Sequence, residues 1–184
     1  MVEQNGSSRA LHGKIVAEAK RIEEDALYSS RGHFEASRRW SMVHLWIGIP
    51  TSILAAIASV SAFNDHKLTA GITAGLVATF SAVSTFLNPN ERVHSHQAAG
   101  SQYSALRNQA RAFREITVHT LNSGEAAERV RELGTLRDDL NSNSPPIPRW
   151  AFESAHRNIE SGEAAYRVDR PRRSEPANQF PWRA

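Results

Sequence analysis

The sequence predicts an all-α protein, a transmembrane helical hairpin whose amphipathic cytoplasmic helices form a bundle or coiled coil. Three observations carry that expectation. Residues 40–90 hold two apolar segments, WSMVHLWIGIPTSILAAIASVSAF and LTAGITAGLVATFSAVSTFLNPN, and neither contains Asp, Glu, Lys or Arg. A tight polar turn, NDHK, joins them. On both flanks, apolar residues recur at spacings of three and four, the period of a one-sided helix. A bilayer core of roughly 30 Å is crossed by about 20 helical residues, and both segments are long enough. A soluble helix of that length carries charge on its solvent face.

The competing expectation is a buried helix pair inside a soluble protein, which the negative mean hydropathy of the whole chain favours. That mean is diluted by the polar remainder. Two helices that are apolar all round need extensive cover, and the flanks offer only narrow stripes. With 184 residues there is room for one compact domain or for a hairpin with helical flanks. Cysteine is absent, which excludes disulfides and thiolate metal sites and suits a reducing compartment. No small-residue cleavage site follows the first apolar segment, so a cleaved signal peptide is not expected.

A pI near 9.7 invites a nucleic-acid reading, yet the formal net charge is only +3 and both signs are interspersed. Placement of the basic residues is more informative. Arg31, Arg38 and Arg39 precede the first span and Arg92, Arg107, Arg111 and Arg114 follow the second, while the turn offers Asp65 and Lys67. By the positive-inside rule both flanks are cytoplasmic. The expected address is a membrane crossed twice with both flanks in the cytoplasm, and no nucleic-acid partner is expected.

In chain order, residues 1–9 are polar and expected to be loose. A domain of residues 10–165 follows, beginning with a cytoplasmic helix over 10–40. Its stripe is Leu11, Ile15, Ala19, Ile22 and Ala26, surrounded by charges and weakened by Gly32. Arg38, Arg39, Trp40, Trp46 and, beyond the second span, Arg92 fall where a membrane interface is expected; an indole there keeps its ring apolar and its N–H near water.

The first span, 41–63, divides by side-chain size on a helical wheel at about 100° per residue. His44, Gly48, Ser52, Ala55, Ala56, Ser59 and Ala62 make a small side opposite a bulky one. The turn is 64–67. The second span, 68–88, divides likewise, with Ala70, Gly71, Ala74, Gly75, Ala78, Ser81, Ala82, Thr85 and Asn88 on its small side. In a bilayer, helices approach through such faces. Two uses stay open: the faces pack the two helices of one hairpin together, or hydroxyl positions such as Ser52, Ser59, Ser81 and Thr85 line water when several hairpins assemble. Two helices cannot enclose a channel, so any pore needs a homo-oligomer.

Pro50 removes a backbone hydrogen bond inside the first span and marks a kink or flexible point. Asn88 and Pro89 resemble an N-cap followed by proline at the first helical position, with Glu91 behind them. Pro50 and Pro89 are therefore the candidate hinges. Residues 89–165 read as cytoplasmic helices, with one seam over Val93, His96, Tyr103, Leu106, Ala110, Phe113 and Thr117 and another over Val130, Leu133, Leu136 and Leu140. These seams should meet each other and the first helix. His94 and His96 are two apart and diverge on a helix, so no metal site is expected. SPPIP then breaks the helix, a short helix follows over about 150–163, and residues 166–184 form a basic tail expected to be disordered.

No P-loop, dinucleotide loop, zinc-protease motif or nucleophile elbow is present. The acidic clusters lie in mixed-sign stretches. No catalytic residue, cofactor or metal is assigned, and an enzyme is the least supported class.

The run YSSRGHFEASRRWSMVHLWIGIPTSILAAIASV, the short turn, the close of the second span in STFLNPNERVHSHQAAGSQYSALR and the later SPPIP together resemble the SLATT family. The likeness covers most of residues 10–165 and includes the G-I-P of Gly48, Ile49 and Pro50. It implies a two-span effector of bacterial conflict systems that accompanies a sensor or a nucleotidyltransferase encoded nearby. It further implies assembly into a membrane pore, or membrane disruption, when that partner is triggered. A non-conducting adaptor, anchored by its hairpin and recruiting partners through its cytoplasmic helices, is the alternative.

Overall fold

The computed structural model describes residues 2–64 and 66–161, with side chains from residue 9 onward; the expected basic tail lies outside the described residues. Every regular element among them is helical: α1 (Val2–Phe63), α2 (Lys67–Leu87), α3 (Pro89–Glu115), a single 3₁₀ turn (Thr117–His119), α4 (Ser123–Asn143) and α5 (Arg149–Glu160). Two of these helices contain stretches long and apolar enough to cross a membrane.

The sequence divides the first 63 residues into a loose start, a cytoplasmic helix and a span. The structure makes them one helix of 62 residues, running through Gly32 and Pro50 and reaching back to Val2. At about 1.5 Å per residue it is about 90 Å long. One stripe runs along it from Ile15 to Ser61: Ile15, Ala19, Ile22, Ala26, Ser30, His33 and Ser37 are buried, and the same face continues through Val43, Ile47, Thr51, Leu54 and Ala58 to buried Ser61. The three-four alternation averages close to 3.5 residues and so keeps the stripe on one side of the helix.

α3 packs along the charged part of α1 more extensively than any other element does. Cross-contacts run in opposite directions along the two helices: Glu23 meets Arg114, His33 meets His96 and Ser37 meets the Val93 carbonyl. The pair is antiparallel. Fully buried Ala19, Ala26 and Ala110 let the backbones approach, and Ile22, Leu106 and Leu133 fill the space between α1, α3 and α4. Each such large side chain contributes about 1.5–3 kcal/mol through removal from water.

α4 starts at a complete capping box. The Asn122 side chain accepts from the backbone N–H groups of Gly124 and Glu125, and Glu125 accepts from the Asn122 N–H. Tyr103 Oη then donates to Asn141 Oδ1 at 2.7 Å, and Arg137 reaches Asp25 of α1 at 3.6 Å. Past the extended proline segment, α5 returns to α1 through buried Ala151 and Ala155 and the Asn158–Glu35 hydrogen bond.

Two glycines mark close approaches. A Cβ on Gly32 would sit 3.0 Å from Ile147 of the proline segment, and one on Gly100 would sit 2.9 Å from the Phe34 ring. Gly32 is therefore a seat for Ile147 on α1.

Gly100→Ala gains up to about 1 kcal/mol of helix propensity but forces the Phe34 ring aside, so the two effects nearly cancel. Gly100→Leu is expected to destabilise by about 1–3 kcal/mol through overpacking. Thermal unfolding followed by circular dichroism distinguishes them; equal melting of the leucine variant and the wild type would contradict the close approach.

Candidate functional site

The charged seam sets the rotation of α1, and thereby the rotation of its apolar continuation. Facing the stripe from Val43 to Ser61, the least exposed positions of α2 are Ala70, Thr73, Val77, Phe80, Ser84 and Leu87. α1 and α2 meet along this mixed seam of small and bulky residues. Of the small-residue positions marked by the sequence, Ser52, Ala56, Ser59, Gly71, Gly75, Ala78, Ser81, Thr85 and Asn88 lie on exposed surface of the single chain, whereas Gly48 and Ala70 are half-buried. A Cβ built on Gly71 or Gly75 meets nothing within 4 Å.

Several hydroxyls on these helices are tied to their own backbones. Ser52 donates to the Gly48 carbonyl at 3.0 Å and Thr85 to the Ser81 carbonyl at 2.9 Å. On the inner seam, Thr51 donates to Ile47 and Thr73 to Thr69. Such back-bonding spares each hydroxyl the cost of an unpaired donor in an apolar setting.

At the junction of α2 and α3, Asn88 occupies the left-handed region at φ 41° and serves as C-cap of one helix and N-cap of the next. Its side chain makes no capping hydrogen bond to the backbone. It donates instead to the Glu91 carboxylate. Pro89 follows, buried, at the first position of α3, where its missing N–H removes nothing from the helix. Arg92 fastens the corner: Nε donates to the Leu87 carbonyl at 3.0 Å, and the guanidinium lies 4.7 Å from the Trp40 ring centre. Arg39 stacks on Trp150 of α5 at 4.6 Å. Arg38 is exposed, and Trp46 is 73% exposed on the outer surface of α1.

One feature at the centre of the α1–α3 seam is not foreshadowed by the sequence. His33 and His96 are buried with their Nδ1 atoms 3.0 Å apart, and the His33 ring stacks on Tyr103 with centres 5.4 Å apart. One Nδ1 must donate and the other accept, so the neutral pair holds opposite tautomers. Burial pushes His33 down to about 4, helped by the adjacent His96, and burial pushes His96 down as well, helped by the Arg92 guanidinium. Tyr103, on the other face of His33, is raised by burial and stays a neutral donor. Among the described residues no group of three or more metal-ligating side chains occurs. The pair is a neutral cross-link between α1 and α3.

The fold defines an all-helical protein with two helices long and apolar enough to span a membrane, carrying outward faces of small residues on both. No family model, curated protein or solved structure matches the chain.

Stability is expected to fall on acidification. Below the ordinary histidine value of 6.5 the unfolded chain takes up a proton that folded His33 refuses until about pH 4. Stabilisation present above pH 6.5 is therefore lost as the pH drops toward 4, by at most about 3 kcal/mol from this residue. Unfolding measured in pH steps should show that loss in the wild type and a shallower one in His33→Asn. Identical pH slopes would contradict the neutral pair.

Proposed function

We propose that this protein is a two-span inner-membrane effector whose hairpin self-associates to open a pore or disrupt the bilayer when a partner is triggered. The spans are residues 41–63 and 68–88, with the remaining helices bundled on the cytoplasmic side, where the arginines before the first span and after the second also lie. The observation that carries the reading is the outward small-residue surface: Gly71, Gly75 and Ala78 on α2, and Ser52, Ala56 and Ser59 on α1, are exposed because another seam joins the two helices. Small faces are where membrane helices meet, and a single hairpin leaves these unused. A second copy is their natural complement.

The resemblance to SLATT effectors points the same way and supplies the expected context, a sensor or nucleotidyltransferase acting upstream. Movement of α3 would pass to α2 through Asn88 and Pro89, and movement of the charged half of α1 would pass directly into the first span. The back-bonded hydroxyls favour a second reading, because Ser52 and Thr85 spend their donors internally as residues in a dry contact do. In that reading the assembled hairpins anchor a recruiting platform and conduct nothing.

The test is dye release from liposomes holding the purified protein, with and without the neighbouring sensor and its product. Trigger-dependent release is expected. Trp at Gly75 or Ala78 is expected to cut release at least about fivefold, since a misplaced bulky group at a close contact costs on the order of 1–3 kcal/mol. The single-chain fold has open space at Gly75 and tolerates the change there. Absence of release with insertion and partner response verified would overturn the pore in favour of the adaptor.

A further inference from the structure

We infer that the chain carries a binding site for one anionic glycerophospholipid, formed where α5 docks on α1. A cavity of about 350 Å³ opens there between Arg38 and Arg39 of α1 and Arg157 of α5, with Glu35, Glu153, Met42 and Trp150 also on its wall. Both carboxylates are already engaged: Glu35 accepts from Asn158 at 3.3 Å, and Glu153 pairs with Arg149 at 2.8 Å. The three guanidiniums are not. Among the described residues none of them has an ion-pair partner, and Arg39 is held only against the Trp150 ring. With Glu153 neutralised by Arg149, three cations face the single carboxylate of Glu35 and leave a net positive charge, which favours an anionic headgroup over a zwitterionic one. Arginine suits the phosphate itself because its planar fork matches two oxygens at once.

An apolar groove adjoins this cavity at Met42. The groove, of about 260 Å³, is also lined by Leu45, Trp46, Ile49 and Pro50, almost without polar surface. From Met42 to Pro50 the helix rises about 12 Å, close to the depth of one leaflet's hydrocarbon, about 15 Å. Polar cavity and apolar groove follow each other in the order of a phospholipid, headgroup then chain. A free phosphate would use only the first half. The assignment rests on the membrane reading, since it sets Arg38 and Arg39 at headgroup level.

The test titrates full-length protein in detergent with phosphatidylglycerol or phosphatidylcholine of identical chains and counts retained lipid by native mass spectrometry. Flotation with liposomes runs in parallel. The principal variant is Arg38→Gln with Arg157→Gln, which leaves the Arg39–Trp150 stacking intact; each single variant is a second route if the double one unfolds. Preferential retention of phosphatidylglycerol is expected, weakened about fivefold per arginine removed. Equal retention by wild type and variant, with both floating, would overturn the site and leave the membrane reading standing. Competition by soluble glycerophosphoglycerol at the concentrations at which the lipid binds would also overturn it, in favour of a phosphate site. Failure of the wild type to float would overturn both.

Discussion

The structure depends on one uninterrupted stripe along α1. From Ile15 to Ser61 it keeps to a single side of a helix that no loop divides, so the orientation of the charged half dictates that of the apolar half. Ile22 and Ala26 face α3; about 48 Å further along, at about 1.5 Å per residue, Leu54 and Ala58 face α2 on the same line. Rotation of the apolar segment is thus not free to optimise its own packing. It is inherited from Ile22, Leu106 and their neighbours, whose burial outweighs any preference among the small residues of the other half. The exposed Gly71 and Gly75 are a consequence of that inheritance.

What faces the stripe is not continuous. α2 and α3 together form a broken helix laid against a whole one, and the break is the left-handed Asn88. A non-glycine residue there is strained but tolerable, because asparagine visits this region more readily than most. Around the break, Arg92 bonds the end of α2 and covers Trp40 of α1, so the corner is closed on both sides. Further along α3, beyond the Ser37 hydrogen bond to the Val93 carbonyl, the His33–His96 pair provides another cross-link. It trades the charge of two imidazoles for a shared hydrogen bond in a place with no room for hydration. The junction and the pair lie within about three helical turns of each other. Any rearrangement that slides α3 against α1 disturbs both.

Much of this was legible from residues alone, for definite reasons. The absence of charge over two long runs identifies apolar helices without any knowledge of packing. The stripes over Ile15 to Ala26 and over Tyr103 to Phe113 are strong because their apolar residues stand among charges. The seam between α1 and α2 was not legible by size. Sorting the first span into small and bulky sides ignored the helix before it; counting onward from Ile22 and Ala26 in steps of three and four lands on Ile47, Thr51, Leu54 and Ala58. Gly32 read as a weak point because its reason, the Ile147 side chain, arrives more than a hundred residues later. His33 had no local signal for the same kind of reason, since its partner comes from another helix.

The length of α1 has a further implication for geometry. With residues 41–63 in a bilayer, the preceding 39 helical residues would form a straight strut, and at about 1.5 Å each they reach almost 60 Å from the membrane surface. Such a strut keeps its far end clear of headgroups and of other membrane-bound domains. A soluble protein that engaged residues near Arg9 would be held at a fixed stand-off, and a small tilt at the membrane would become a wide sweep at that distance.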